Sequence, residues 1–192
     1  MELAKLLPGL RTLHSVAKYY LTSRGLVQIA NSAAQLTELH IGYNQLSEES
    51  FQYLFCNGPP LRKLVVSSYR DVFNHVDRLA ESLQFLKIAT YEKLGLGSLQ
   101  AIGRLVNLKS LVISDGKGSD PQDFIDSVSG GQLLKLHILH LKMAFVTSEM
   151  VEIVMMKCPE LHEFYLASAL ASLDLARVVS TSLRSLHIFN TR

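Results

Sequence analysis

One arrangement of apolar and polar positions returns eight times along the chain: Leu, two variable residues, Leu or Phe, one variable residue, then usually Ile, Leu or Val. It opens at Leu10, Leu36, Leu61, Leu83, Leu108, Leu136, Leu161 and Leu183, so successive copies lie 22 to 28 residues apart. The end of each copy alternates apolar with variable residues, the period of a strand with one buried face. Between copies the apolar spacing becomes helical. In the second unit Ser47 is placed to cap a helix, with Glu48 and Glu49 in its electropositive first turn. Phe51, Leu54 and Phe55 then share one helical face, and Asn57-Gly58-Pro59-Pro60 ends the helix. The sixth unit repeats this with Val146, Thr147, Met150, Val151 and Val154 before Cys158-Pro159. In the fifth, Asp120 is a good N-cap, Pro121 suits the first helical position and Asp123 the first turn.

Each unit is therefore expected to run strand, turn, helix, turn. A helix that returns the chain to the same side makes successive strands parallel. Units of this kind stack in one dimension, each packing on its neighbours, so residues 1–192 are expected to form a single array of about eight units. A helix is wider than a strand, and the stack is expected to bend with strands on the concave face and helices on the convex face.

A repeat of this length built on L-x-x-L-x-L resembles the leucine-rich repeats of ribonuclease-inhibitor-like proteins. The segment Cys158-Pro159-Glu160-Leu161-His162-Glu163-Phe164-Tyr165-Leu166 is similar to the C-P-x-L-x-x-L-x-L phrase of cysteine-containing leucine-rich repeats. So is Leu36 to Cys56, with Asn44 at the ninth position and Leu46-Ser47-Glu48-Glu49 opening the helix. This class is typical of F-box/leucine-rich-repeat proteins, the substrate receptors of SCF-type ubiquitin ligases. The resemblance implies an α/β fold, a right-handed solenoid or horseshoe. It implies a protein-protein interaction module that holds a target on its concave face. A ubiquitin-ligase adaptor would be a further partner if an F-box lies outside this chain, since none lies within it. The alternative is a free-standing scaffold or inhibitor that binds its partner stoichiometrically without ubiquitination. At the ninth position the first seven units carry Lys18, Asn44, Tyr69, Tyr91, Gly116, Ala144 and Ala169, of which only Asn44 could form the side-chain ladder rung of the family.

Composition narrows the choice. Apolar residues make up 48% of the chain and charged residues 19%, which is not the composition of a disordered chain. A formal charge of +2 gives no strong pull toward nucleic acid or membrane. No apolar run approaches the roughly 18 residues of a membrane span, and Met1 to Leu7 do not read as a secretory signal. Cys56 and Cys158 fall four units apart, too far for a disulfide, and both are expected to be reduced, core-filling thiols of a cytoplasmic, possibly nuclear, protein. Leu3, Leu6, Leu7, Pro8, Gly9 and Leu10 match the end of a unit, and the chain stops soon after the eighth strand phrase. The array is thus expected to start mid-repeat and end after a last strand, either as part of a longer protein or capped by a partner or by self-association.

The variable positions map a surface. The third, fifth and seventh residues of each copy point away from the core. From the third column Glu38, Lys63, Phe85, Ile138 and Glu163 are candidate partner-binding residues. From the fifth they are His14, His40, Val65, Lys87, Val112, His140, Tyr165 and His187, and from the seventh Phe189. Aromatics on an exposed, rigid surface are common interface anchors. The histidine column leaves three readings open: solvated residues, a pH-sensitive contact, or a zinc site from His14 and His40 with Glu38 diagonal to them. The long fifth unit places Asp115-Gly116-Lys117-Gly118-Ser119-Asp120 in a loop that matches neither a phosphate-binding nor a calcium-binding pattern. It is expected to be exposed and flexible, or else a second contact surface. No catalytic constellation is present, so no enzyme, cofactor or resident metal is assigned.

Overall fold

The computed structural model describes residues 9–15, 21–44, 46–143, 146–168 and 182–190. Each of the eight phrases ends in a strand: β1 (Thr12–Ser15), β2 (Glu38–Asn44), β3 (Lys63–Ser68), β4 (Phe85–Thr90), β5 (Ser110–Asp115), β6 (Ile138–Lys142), β7 (Glu163–Ser168) and β8 (Ser185–Asn190). They form one sheet in sequence order, every neighbouring pair parallel. Among the described residues five helices lie between strands: α1 (Ser23–Ser32), α2 (Glu48–Asn57), α3 (Leu96–Gly103), α4 (Pro121–Ser129) and α5 (Ser148–Lys157).

One joint recurs between all seven strand pairs. The second residue of a phrase offers its carbonyl to two successive N–H groups of the next unit. Thr37 and Glu38 donate to Arg11, Arg62 and Lys63 to Thr37, and so on to Arg184 and Ser185 on His162, at 2.7 to 3.1 Å. Because the acceptor sits just before the strand, the joint sets the register of the whole strand that follows. In the second to seventh phrases the fourth and sixth positions then fall inward. Leu39, Leu64, Leu86, Leu111, Leu139 and Phe164 line the core with Ile41, Val66, Ile88, Ile113, Leu141 and Leu166. The inward faces of the helices, including Leu26, Leu54, Leu99, Phe124 and Val151, complete one continuous core.

The helix starts follow from their capping residues. Ser47 accepts from the Ser50 N–H at 3.3 Å, Asp120 from Gln122 at 2.8 Å, and Thr147 from Met150 at 3.2 Å. Pro121 opens α4, and Phe51, Leu54 and Phe55 are buried.

Three expectations are corrected. The unit from Leu61 to Ser82 has no α-helix, only a 3-10 turn at Val76–Leu79. Its 22 residues leave too short a return for regular α-helix, and Val72 and Phe73 from irregular backbone, with Val76 and Leu79 from that turn, fill the core instead. Cys56 is exposed and only Cys158 is buried. The two are not equivalent: Cys158 stands three residues before Leu161, the place taken by Gly58 before Leu61, and both of these cap their helix with an N–H to the carbonyl four residues back. Cys56 matches Met156, which is also exposed. Finally, the 115–120 loop is anchored rather than free. Asp115 and Ser119 are buried. One Asp115 oxygen accepts from the Lys117 and Gly118 N–H groups, the other from Leu94 and the Ser119 hydroxyl. Gly118 has a φ of 76°, which favours glycine. Asp71 makes a similar tie, accepting from Gly95 at 2.8 Å and Ser98 at 2.6 Å across to the next unit.

The thiols give a direct check. Burial pushes the Cys158 thiol up to about 12, leaving almost no thiolate at neutral pH. One equivalent of a thiol reagent is expected to react quickly at Cys56, and the second only once the chain is unfolded. Two fast equivalents would contradict this packing.

Candidate functional site: the helix-free face of the sheet

Among the described residues, no helix packs on the outward side of the strands, and the outward residues form two rows in register. One runs Thr12, Glu38, Lys63, Phe85, Ser110, Ile138, Glu163, Ser185; the other His14, His40, Val65, Lys87, Val112, His140, Tyr165, His187. A shorter third row runs from Ser67 through Ala89, Ser114, Lys142 and Ala167 to Phe189. The strand pairing brings each candidate residue beside its counterpart in the next unit. Val16, Lys18, Ala144 and Ala169, and the stretch before Pro8 that matched a helix end, lie outside the described residues, as does the side chain of Asn44.

The rows differ from one end to the other. At the first strands the chemistry is ionic and imidazole-based. The His14 and His40 rings stack 4.0 Å apart at 3°. The Lys63 ammonium lies 3.7 Å from Glu38 and 5.4 Å from the Phe85 ring centre. Burial first, then the neighbouring His14 and Lys63, hold the His40 imidazole below its ordinary range, with Glu38 opposing them. At the last strands the chemistry is aromatic. Tyr165 is the hub, 5.1 Å from His140, 5.8 Å from His187 and 4.8 Å from Phe189. Phe189 is 46% exposed. Val65, Lys87, Val112 and Ile138 fill the half-exposed ground between, with Lys87 the most solvated.

A tyrosine cluster at the carboxyl edge of the sheet was not foreseen. Tyr43, Tyr69 and Tyr91 contact one another at 5.3 to 5.7 Å. Tyr69 and Tyr91 share the ninth position, but Tyr43 holds the eighth, which would ordinarily face the core. The register shifts between Ile41 and Asn44, setting Asn44 opposite Ser68. That extra residue turns Tyr43 out to its neighbours, as a bulge does. Burial and then Tyr91 push its phenol above the ordinary range. Tyr43 and Tyr91 line a cleft of about 280 Å³ with Asp115, Gly116, Lys142 and Met143. The adjacent Gly42-Tyr43-Asn44 was legible only as a turn, so the bulge left no signal in sequence.

No helix among the described residues is long and apolar enough to cross a membrane. No protein-family model matches the chain, and no curated protein matches it in sequence.

Proposed function

We propose that this chain is a leucine-rich-repeat recognition module that holds a protein partner on the helix-free face of its sheet. It is of the kind that serves as substrate-recognition repeats in an SCF-type ubiquitin-ligase receptor. One observation carries the reading. Two rows of variable side chains cross eight strands in register, with aromatic, cationic and aliphatic residues juxtaposed on rigid backbone. A rigid display of this kind spends little conformational entropy on binding. Its composition, aromatic at one end and apolar in the middle with charges at the other, is that of an interface with a few anchors and a polar rim. The exposed Cys56 is unpaired, which fits a reducing compartment, cytoplasmic or nuclear.

A free-standing scaffold would use the same face, so the two readings separate by consequence. Under the ligase reading, depleting this protein raises the abundance of its partner and lengthens the partner's half-life. An unchanged half-life, with the partner still bound stoichiometrically, assigns the scaffold reading instead. Pulse-chase labelling of the partner in depleted cells is the measurement.

A further inference from the structure

The geometry points to a zinc site at the first two strands, built from His14, His40 and Glu38. His14 and His40 are register partners across β1 and β2. Glu38 stands two residues before His40 on the same strand, so its side chain emerges on the same face. One donor atom from each of the three lies within 4.8 Å of the other two. Donors shared by one tetrahedral zinc ion lie about 3.4 Å apart, given zinc-ligand bonds of about 2.1 Å. The donor atoms therefore need to close by up to about 1.4 Å, with the stacked rings turning so that their nitrogens converge.

A second, independent observation is a nitrogen with nothing to bond. His40 Nε2 is buried and has no hydrogen-bond partner. Buried polar atoms are almost always satisfied, and an exception calls for a missing partner. A metal ion supplies one. His14 is exposed, so its ring is free to turn out of the stack toward a shared ion.

The donor set selects the ion. Two imidazoles and one carboxylate suit a borderline metal such as zinc and leave a fourth position for water or for a partner's side chain. Hard oxygen-seeking cations want more carboxylates. The Lys63 ammonium beside Glu38 occupies the carboxylate while no ion is bound and gives way to it. The other histidine pair lacks this arrangement. His137 and His162 pack at 5.2 Å, but His137 Nε2 is already engaged by Glu160 at 3.1 Å. An ion bridging β1 and β2 would cross-link the first strand to the sheet.

The test is calorimetric titration of the full chain with zinc chloride, in a Cys56→Ser background that removes the exposed thiol. Cobalt absorption reports the coordination. The expected result is one ion per chain, with affinity reduced at least about 100-fold in His14→Ala and in His40→Ala, more than loss of a merely supporting residue costs. Glu38→Gln is expected to weaken binding, and His137→Ala and His187→Ala to leave it unchanged. Zinc should also raise the melting temperature of the native chain but not of His14→Ala. His14 is exposed, so this variant keeps its fold, which circular dichroism verifies. Absence of saturable zinc binding, or binding that persists unchanged in folded His14→Ala, would overturn the site.

Discussion

Replacing Phe73 by alanine is expected to destabilise the chain by about 3–5 kcal/mol. Phe73 is fully buried in the third unit, which has no α-helix. Behind the strands that precede the five described helices, the space is filled by several helical side chains on regular backbone. Here Phe73 supplies the bulk, held in place by its N–H on Asp71 at 3.2 Å. Irregular backbone on both sides can relax into the void only by abandoning the ties from Asp71 to Gly95 and Ser98, so little of the cost is recovered. A domain is stable by only about 5–15 kcal/mol, and in a stacked array a weak central unit uncouples the units on either side. Urea unfolding should therefore show a lower midpoint and a broader, less cooperative transition. Phe189→Ala, an exposed aromatic, should shift the midpoint little. A Phe73→Ala cost below about 1 kcal/mol would contradict the packing described.

The second large effect concerns binding. Phe85→Ala combined with Tyr165→Ala is expected to weaken partner binding by about 100-fold or more, since a buried aromatic anchor contributes roughly 2 kcal/mol or more on truncation. The residues lie three strands apart on the face, Phe85 on β4 and Tyr165 on β7. Phe85 lies under the Lys63 ammonium, and Tyr165 joins His140, His187 and Phe189. Both point outward and are half-exposed, so their loss removes contact area without opening the core. Surface plasmon resonance with the captured partner measures the change, and a melting temperature near that of the native chain separates lost binding from lost folding. Affinity unchanged within twofold would remove these residues from the interface.

Much of this face was legible in the sequence, and the reason is local. Alternation along each phrase depends on neighbouring residues only, so the inward positions Leu86 and Ile88 and the outward positions Phe85 and Lys87 could be assigned from spacing. Helix starts at Ser47, Asp120 and Thr147 were legible for the same reason, because a cap is a contact three residues long. What escaped depends on distant partners. Asp115 read as a loop residue and Asp71 carried no signal, yet they tie one unit to another across more than twenty residues. Tyr43 moves to the outward face through a register shift that only the pairing with β3 creates. Cys56 was placed in the core by its nearness to the next Leu phrase, when a count back from Leu61 sets it beside exposed Met156 instead. The bare phenylalanine-filled third unit was marked only by its short length.

On the proposed reading the outward rows, and not the helical side, engage the partner. The most direct measurement places a photo-crosslinking side chain at Val112, in the middle of the face, and separately at Met156, which is 68% exposed on a helix. Each protein is irradiated in cell extract. One specific protein is expected to be joined through position 112, competed away by excess native chain but not by the Phe85→Ala, Tyr165→Ala variant, with no such product through position 156. A competed product formed through position 156 and absent at 112 would contradict that reading.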